Sequence, residues 1–489
     1  MNKIKMIMFF MIVCLALTAC SSNDTSSNDG NKVEFAQSTA DITEEVTEPA
    51  ISYYEILGKK DFGGETFTIL DANDYPGSVI NFAEDGITGE PINDALYERD
   101  TFIEEKYGVN IEYIQISNAN SGCNTLEKSI LAEENTYDLV VSTLLGATLD
   151  RLSTCNVLYN LTDAPYLSLT SPYWSKLIYE NIMFNNKLYY TGGDIFLPSY
   201  TNSPGLTVFN KKLLQDYGIE NNLYDLVFKG KWTIDILENL TKDMDIDLNG
   251  DDKMTAEEDF FGLLFQYNAM NMAIFLAGIG GKYSEIIDNT INVNLNSDNN
   301  LNKIDKLANW LEKPNYTDQE NPREAFKENR VLFLVTTMSK PKVSLRNMES
   351  EYGILPMPKW DEHQATYVSY MNGWSSGFIA IPQNVDIEKS AFLTEAMAYA
   401  GYEKLRRPVY DISLKTKAAR DEESERIIDI IIETAYMDLN GVYNFGGSYD
   451  IVRNAVMDKT PFSSEYAKIE SRIQGDIDKF INSISGNNG

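Results

Sequence analysis

One histidine, His363, is all that a chain of 489 residues contains. That scarcity excludes an HExxH zinc site and every multi-histidine metal centre. A Ser-His-Asp triad would have to run through His363. This residue lies in Trp360-Asp361-Glu362-His363-Gln364, a polar stretch after two prolines that reads as a solvated loop. Cysteine is nearly as scarce, with four in the chain, no CxxC pair and no Cys/His spacing of a metal site. Basic residues number 41 against 73 acidic ones, for a net charge of −32. A chain so acidic lacks the basic footprint that holds phosphate backbones, so nucleic acid is excluded as a partner. Acidity of this kind serves solubility and colloidal repulsion. Beyond the N-terminus no apolar run approaches the roughly 20 residues that span a bilayer.

The N-terminus carries what the rest lacks. Lys3 and Lys5 form a short basic stretch, and an apolar run from Ile7 to Leu17 follows. The run is too short for a membrane span and has the length and flanks of a signal peptide, residues 1–19. It ends in Leu17-Thr18-Ala19-Cys20, which resembles the bacterial lipobox. That resemblance implies cleavage before Cys20 and a diacylglycerol on its thiol; an ordinary signal peptide with a chance cysteine is the plainer alternative. Residues 20–50 are rich in Ser, Thr, Asn, Asp and Glu and hold too little apolar material to pack, so a disordered tether is expected. Thirty such residues reach about 30 Å in root-mean-square terms. With Cys14 removed and Cys20 lipidated, Cys123 and Cys155 remain, either as one disulfide or as two separate thiols.

The body from about residue 51 onward is too long for a single core and suits two or three lobes. A hydrophobic share of 43%, with 11% aromatic, is enough to fill large cores. Strand-like and helix-like segments alternate. Glu65–Leu70 reads as a strand and Asp71–Gly77 as a loop. Pro91–Tyr107 reads as a helix opened by Pro91 and closed by Gly108, with Ile92, Leu96, Ile103 and Tyr107 on one stripe. Val109–Ile116 is a second strand, Leu126–Glu133 a second helix and Tyr137–Thr143 a third strand. This order implies a parallel sheet flanked by helices, with ligands at the carboxyl ends of its strands. Further on, Leu206–Asn210, Val331–Thr336, Tyr352–Leu355 and Gly377–Ile381 read as strands. Residues 211–217, 233–243 and 448–457 read as helices. Ile469, Ile473, Ile477, Phe480 and Ile484 stripe a helical tail.

Several stretches, in a consistent order from about 60 to 485, resemble the extracellular solute-binding proteins of ABC importers, family 1, the maltose-binding-like class. They are Val208-Phe209-Asn210-Lys211-Lys212-Leu213-Leu214, Lys231-Trp232-Thr233, Ala325-Phe326-Lys327 before Val331-Leu332-Phe333, Tyr352-Gly353-Ile354-Leu355-Pro356-Met357-Pro358, and Gly377-Phe378-Ile379-Ala380-Ile381-Pro382. The chain departs at Asn329-Arg330, where the family usually has a glycine. The resemblance implies a two-lobed α/β fold of the type II periplasmic-binding-protein kind, with mixed, mainly parallel sheets flanked by helices and hinge crossovers. Lobe one would hold 60–195 and 378–438; lobe two would hold 200–370 and 440–489. It also implies a monomer that captures a small solute, a sugar or oligosaccharide, in the interlobe cleft and delivers it to permease subunits. No catalytic residue or catalytic cofactor is expected. The alternatives are a surface glycoside hydrolase, which needs two carboxylates flanking a sugar, and a carbohydrate-binding adhesin without transport.

Sugar sites combine aromatic faces with planar hydrogen-bonding groups. Candidates for that chemistry are Tyr370, Asn372 and Trp374 before the Gly377 strand, Tyr443 and Phe445 before the 448–457 helix, Asn73, Asp74 and Tyr75 after the first strand, Asp194 and Trp174. The stretch Asp247–Glu258 fits a calcium loop of the EF-hand type. Asp247, Asn249 and Asp251 stand at positions one, three and five, the Lys253 carbonyl at seven, Thr255 at nine and Glu258 at twelve. Position six carries Asp252 in place of the usual glycine, at a backbone site that Asp tolerates better than most residues. The expectation is a structural calcium ion; the alternative is an acidic, solvated loop.

Overall fold

The computed structural model describes residues 53–73, 81–83, 86–220, 222–311, 316–317 and 321–485. The expected leader 1–19, Cys20, the tether 20–50, Asp74 and Tyr75 lie outside the described residues. Among the described residues no helix is long and apolar enough to cross a membrane.

Strand β1 spans Glu65–Ala72 and takes in Asp71 and Ala72, which the sequence assigned to a loop. Helix α1 spans Pro91–Tyr107, with proline in its first turn, where a missing N–H costs nothing. Gly108 closes it at φ 59, its N–H donating to the Glu104 carbonyl. Leu96, Ile103 and Tyr107 are buried beneath it. Strand β2, Val109–Ile116, runs parallel to β1. Helix α2, Ala119–Leu131, begins earlier than the apolar stripe suggested, because the Asn118 side chain accepts from the Ser121 N–H and caps it. Strand β3, Leu139–Ser142, is buried throughout and parallel to β1.

The second sheet starts with β4, Gly205–Asn210, and β5, Phe261–Gln266. Helix α3, Ala269–Gly278, follows β5 directly. Strands β6, Tyr316–Thr317, β7, Val331–Thr337, and β8, Tyr352–Leu355, complete it. Its order is β8-β4-β7-β5-β6, with β5 parallel to β6 and β7 and β4 antiparallel to β7 and β8. At the turn before β7, Asn329 sits at φ 58. It thus adopts the left-handed backbone of the glycine it replaces, and its side-chain oxygen accepts from Asn210 Nδ2 at 2.7 Å.

The chain then returns to the first sheet. Strand β9, Phe378–Ala380, adds antiparallel to β3, which gives the order β9-β3-β1-β2. Helix α4, Ile387–Lys404, packs on α1, with the Tyr107 and Phe392 rings 5.0 Å apart. A π-helix covers Arg407–Ala418. Helix α5, Glu422–Glu433, packs on β8 of the second sheet, where Ser424 Oγ accepts from the Ile354 N–H. The segment 378–438, expected wholly in lobe one, therefore divides, with α4 on the first sheet and α5 on the second. Helices α6, Ser448–Met457, and α7, Phe462–Ile484, close the chain, and α7 buries Ile473, Ile477, Phe480 and Ile484 as its stripe predicts.

Three stretches cross between the sheets: 194–204, 371–377 and 405–421. The first two run side by side. Asn372 N–H donates to the Ser203 carbonyl, and Ser376 Oγ donates to the Tyr200 carbonyl at 2.9 Å. Ser369–Tyr370 pairs in parallel with Ala435–Tyr436 beside them. Cys123 is buried and Cys155 exposed, as two separate thiols.

Candidate functional site

A cavity of about 530 Å³ opens beside these crossovers. Its floor is the carboxyl end of the second sheet, whereas the sequence points to the strand ends of the first sheet, the 71–77 loop and Ser142-Thr143. Gln266 ends β5, and Thr336 and Thr337 end β7. The first turn of α3 forms one wall through Asn268 and Asn271, with Asn268 capping the helix by accepting from the Asn271 N–H at 2.8 Å. The crossovers contribute Asn202, Asn372, Trp374 and Ser375. Asn444, before α6, and Tyr449 and Asp450 in its first turn line a further side, and Arg323 and Lys340 complete the lining. Amides, hydroxyls and the rings of Trp374 and Tyr449 dominate the described lining, in which Asp450 is the single carboxylate. Among the described residues, none of 60–195 lines it.

Trp374 is the distinctive group. Large aromatic side chains are mostly buried here, yet Trp374 is 45% exposed. It leans on Gly146, shortly after β3, where a Cβ would come within 2.2 Å of the indole Cζ3. Gly146 also has φ 93, a conformation that side-chain-bearing residues rarely adopt. The Trp374 N–H donates to Asn372 Oδ1 at 3.0 Å, which fixes both residues on one tight turn.

The other candidates from the sequence lie elsewhere. Tyr370 is fully buried behind the cavity, its hydroxyl 2.7 Å from that of Tyr449, and so positions the lining from behind. Tyr443 hydrogen-bonds Ser153 and Tyr190, and its ring stacks on Phe445. Both rings touch Phe480 of α7, so this pair ties the C-terminal helix to the 153–190 segment. Asp194 is buried and pairs with Arg406 at 2.6 Å. Burial pushes its carboxyl up to about 6, against the pull of that guanidinium. Trp174 is buried and donates its indole N–H to Glu395. Asn73 hydrogen-bonds Asp71, whose carboxyl burial also raises to about 6.

The sequence reading missed Gln266, Asn268, Asn271, Thr337 and Asn444. Most follow from overlooking β5: its apolar run Phe261–Phe265, bounded by Asp259 and the capping Asn268, is the signal that would have revealed it. Asn444 has φ 46, a left-handed turn whose need for Asn or Gly is visible in the sequence.

The acidic loop forms a chain of side-chain-to-backbone turns. Asp247 accepts from the Gly250 and Asp252 N–H groups, Asn249 from Asp251 and Asp251 from Lys253. Those amides hold the Asp247 carboxyl below the usual range. Asp252 takes the left-handed conformation at φ 61, as position six requires, and Glu258 accepts from Asn249 Nδ2 at 2.9 Å. Among the described residues no three His, Cys, Asp or Glu side chains converge as a metal-sized group. His363 is exposed in its loop, its N–H donating to Asp361.

Residues 84–398 match the family described as bacterial extracellular solute-binding protein. No curated protein sequence matches the chain. Solved structures do. An ABC substrate-binding protein from Listeria monocytogenes in complex with cycloalternan aligns with a TM-score of 0.52 at 14% identity, covering 86% of this chain and 99% of that one. A cyclo/maltodextrin-binding protein complexed with maltotetraose gives 0.53 at 13%, covering 86% and 97%. A maltose/maltodextrin-binding domain from Bdellovibrio bacteriovorus bound to maltotriose gives 0.50 at 14%, covering 87% and 100%. At such identities the likeness is one of fold, the mixed α/β architecture of type II periplasmic binding proteins.

Proposed function

Because the chain belongs to the bacterial extracellular solute-binding proteins, we propose that it captures a sugar or oligosaccharide at the Trp374 cavity for an ABC permease. The observation that carries this reading is the exposed indole beside a wall of amides and hydroxyls. A sugar presents C–H faces to such a ring and hydroxyls to such amides. Capture proceeds by lobe closure: none of the described residues of 60–195 lines the cavity, and a solute touching both lobes favours the closed form by its differential affinity. Among the described lining residues Asp450 is the single carboxylate, which favours binding over glycoside hydrolysis, a reaction that needs two. The family is extracytoplasmic, and a diacylglycerol on Cys20 would hold the receptor at the outer face of the cell membrane, near its permease.

Thermal denaturation with malto-oligosaccharides, peptides and polyamines tests the ligand class. A saturating oligosaccharide at 100 times its Kd is expected to stabilise the protein by about 2.7 kcal/mol. Stabilisation by peptides or polyamines alone, or hydrolysis of the oligosaccharide, overturns the reading.

The 247–258 loop is proposed to take structural calcium. Its left-handed Asp252 and the closure of Glu258 onto Asn249 support this. Hard oxygen ligands suit calcium, and the role is to brace the turn after the 234–241 helix. Titration calorimetry with calcium is expected to show one site, lost in Glu258→Gln. Absence of heat up to millimolar calcium leaves the acidic-loop alternative.

A further inference from the structure

Three buried oxygens at the carboxyl end of β1 accept no hydrogen bond. Asp71, Asn73 and Asn81 are 1%, 3% and 0% exposed. The side-chain nitrogens of Asn73 and Asn81 both donate to Asp71 Oδ1, the second at 3.1 Å. That arrangement leaves Asp71 Oδ2, Asn73 Oδ1 and Asn81 Oδ1 without a hydrogen-bond partner. Turning either amide around gains nothing, because its oxygen would then face the carboxylate. An amide carries its oxygen and nitrogen on one carbon, so both orphaned amide oxygens lie beside the same carboxylate. The carboxylate is also short of positive charge. Among the described residues no Lys or Arg pairs with Asp71. Arg99 of α1 is fully buried, but its guanidinium is taken by Asp100, the Tyr113 hydroxyl and the Ile195 carbonyl. Gln115, the register partner of Asp71 on β2, favours the ionised form but carries no charge. Desolvation lifts the Asp71 carboxyl to about 6, so at neutral pH it is mostly ionised. Buried charges are as a rule paired or bound to a metal ion. A buried water donates two hydrogens at most, which leaves one of the three acceptors bare and the charge unmatched.

We infer that Asp71, Asn73 and Asn81 form a site for a monovalent alkali cation, sodium or potassium. Carboxylate and amide-carbonyl oxygens are ligands for hard cations and not for thiol- or imidazole-seeking metals. The charge count selects among the hard cations. One carboxylate balances one positive charge, whereas a divalent ion would leave a buried net charge of its own. The ion ties Asn81 to the end of β1, ten residues back along the chain. It lies apart from the 247–258 loop and from the Trp374 cavity, whose lining includes none of the three residues.

Melting curves of the full mature chain at neutral pH and one ionic strength, in sodium, potassium or choline chloride, test the site. An alkali cation is expected to raise the midpoint by about 3–5 °C over choline, which is too large to enter. The two alkali arms decide between sodium and potassium. The shift is expected to persist in Glu258→Gln, which disables the proposed calcium loop, and to vanish in Asp71→Asn. Asn81→Asp supplies a second carboxylate and covers the case in which Asp71→Asn does not fold. In the Glu258→Gln background it is expected to move the response from the alkali cation to calcium. Equal midpoints in all three salts overturn the inference. So does an alkali shift that survives in Asp71→Asn, or an Asn81→Asp chain indifferent to calcium. A calcium shift in Glu258→Gln that needs Asp71, without any alkali shift, upholds the cation site and overturns the monovalent assignment.

Discussion

Replacing Glu395 with alanine is expected to lower stability by about 3–5 kcal/mol, the largest effect of any single substitution considered. Glu395 lies on α4 with no solvent exposure. Its Oε1 accepts from the Tyr53 and Tyr173 hydroxyls, each at 2.6 Å. Its Oε2 accepts from the Trp174 indole N–H at 2.9 Å and from the Ser168 N–H at 3.2 Å. Alanine would strand the Tyr173, Trp174 and Ser168 donors in or near the core, each with a desolvation cost of about 1–3 kcal/mol, while the Tyr53 hydroxyl keeps Ser168 Oγ at 3.2 Å. The melting midpoint is expected to fall by roughly 10 °C for a lobe of this size. Glu395→Gln keeps one acceptor oxygen but turns an NH2 toward donors, so it should recover only part of the loss. A melting curve for Glu395→Ala within a degree or two of the parent's would show that the cluster contributes nothing.

Truncating Trp374 is expected to act on the other side of the molecule's business, weakening saccharide binding about thirtyfold at nearly constant stability. Aromatic anchors removed from a binding surface cost about 2 kcal/mol or more. Trp374 is 45% exposed, so its loss from the unliganded protein should cost less than about 1 kcal/mol. Trp174 supplies the control. It is 4% exposed, is absent from the cavity lining and is tied to Glu395. Trp174→Phe is therefore expected to lower the melting midpoint and leave the dissociation constant unchanged. Calorimetry of the two variants with the same oligosaccharide decides the matter. If Trp374→Ala binds as the parent does, the indole is not the platform.

The contrast between these two tryptophans shows how far residues alone could lead. Both sit in turn-rich stretches with similar local composition, and both are credible sugar platforms in one dimension. Their fates are set by partners far away in sequence: Trp174 by a carboxylate 221 residues on, and Trp374 by Gly146, whose missing side chain makes room for the indole. Tyr370, Tyr443 and Phe445 were drawn inward in the same manner, each by rings or hydroxyls from another segment. Asp194, isolated in sequence, is claimed by Arg406 just past the end of α4.

Local chemistry was legible wherever its cause lay within a few residues. Helix α1 begins at Pro91 and stops at Gly108 because one residue pre-sets φ and the other tolerates its left-handed form. Strand β2 and the stripe of α7 follow from their own periodicity. Asn329 and Asp252 take left-handed turns that their side chains allow without a glycine. The scarcity of histidine, the acidic balance and the order of strands and helices likewise came from composition and pattern, and with them the α/β class. What only the tertiary structure decided is which surfaces meet. Hydrophobic burial is non-directional, so a pattern of apolar residues says that a face is covered and leaves open by what. The cavity belongs to that second kind, because its walls come from β5, β7, α3, α6 and the crossovers, and no stretch of sequence contains it.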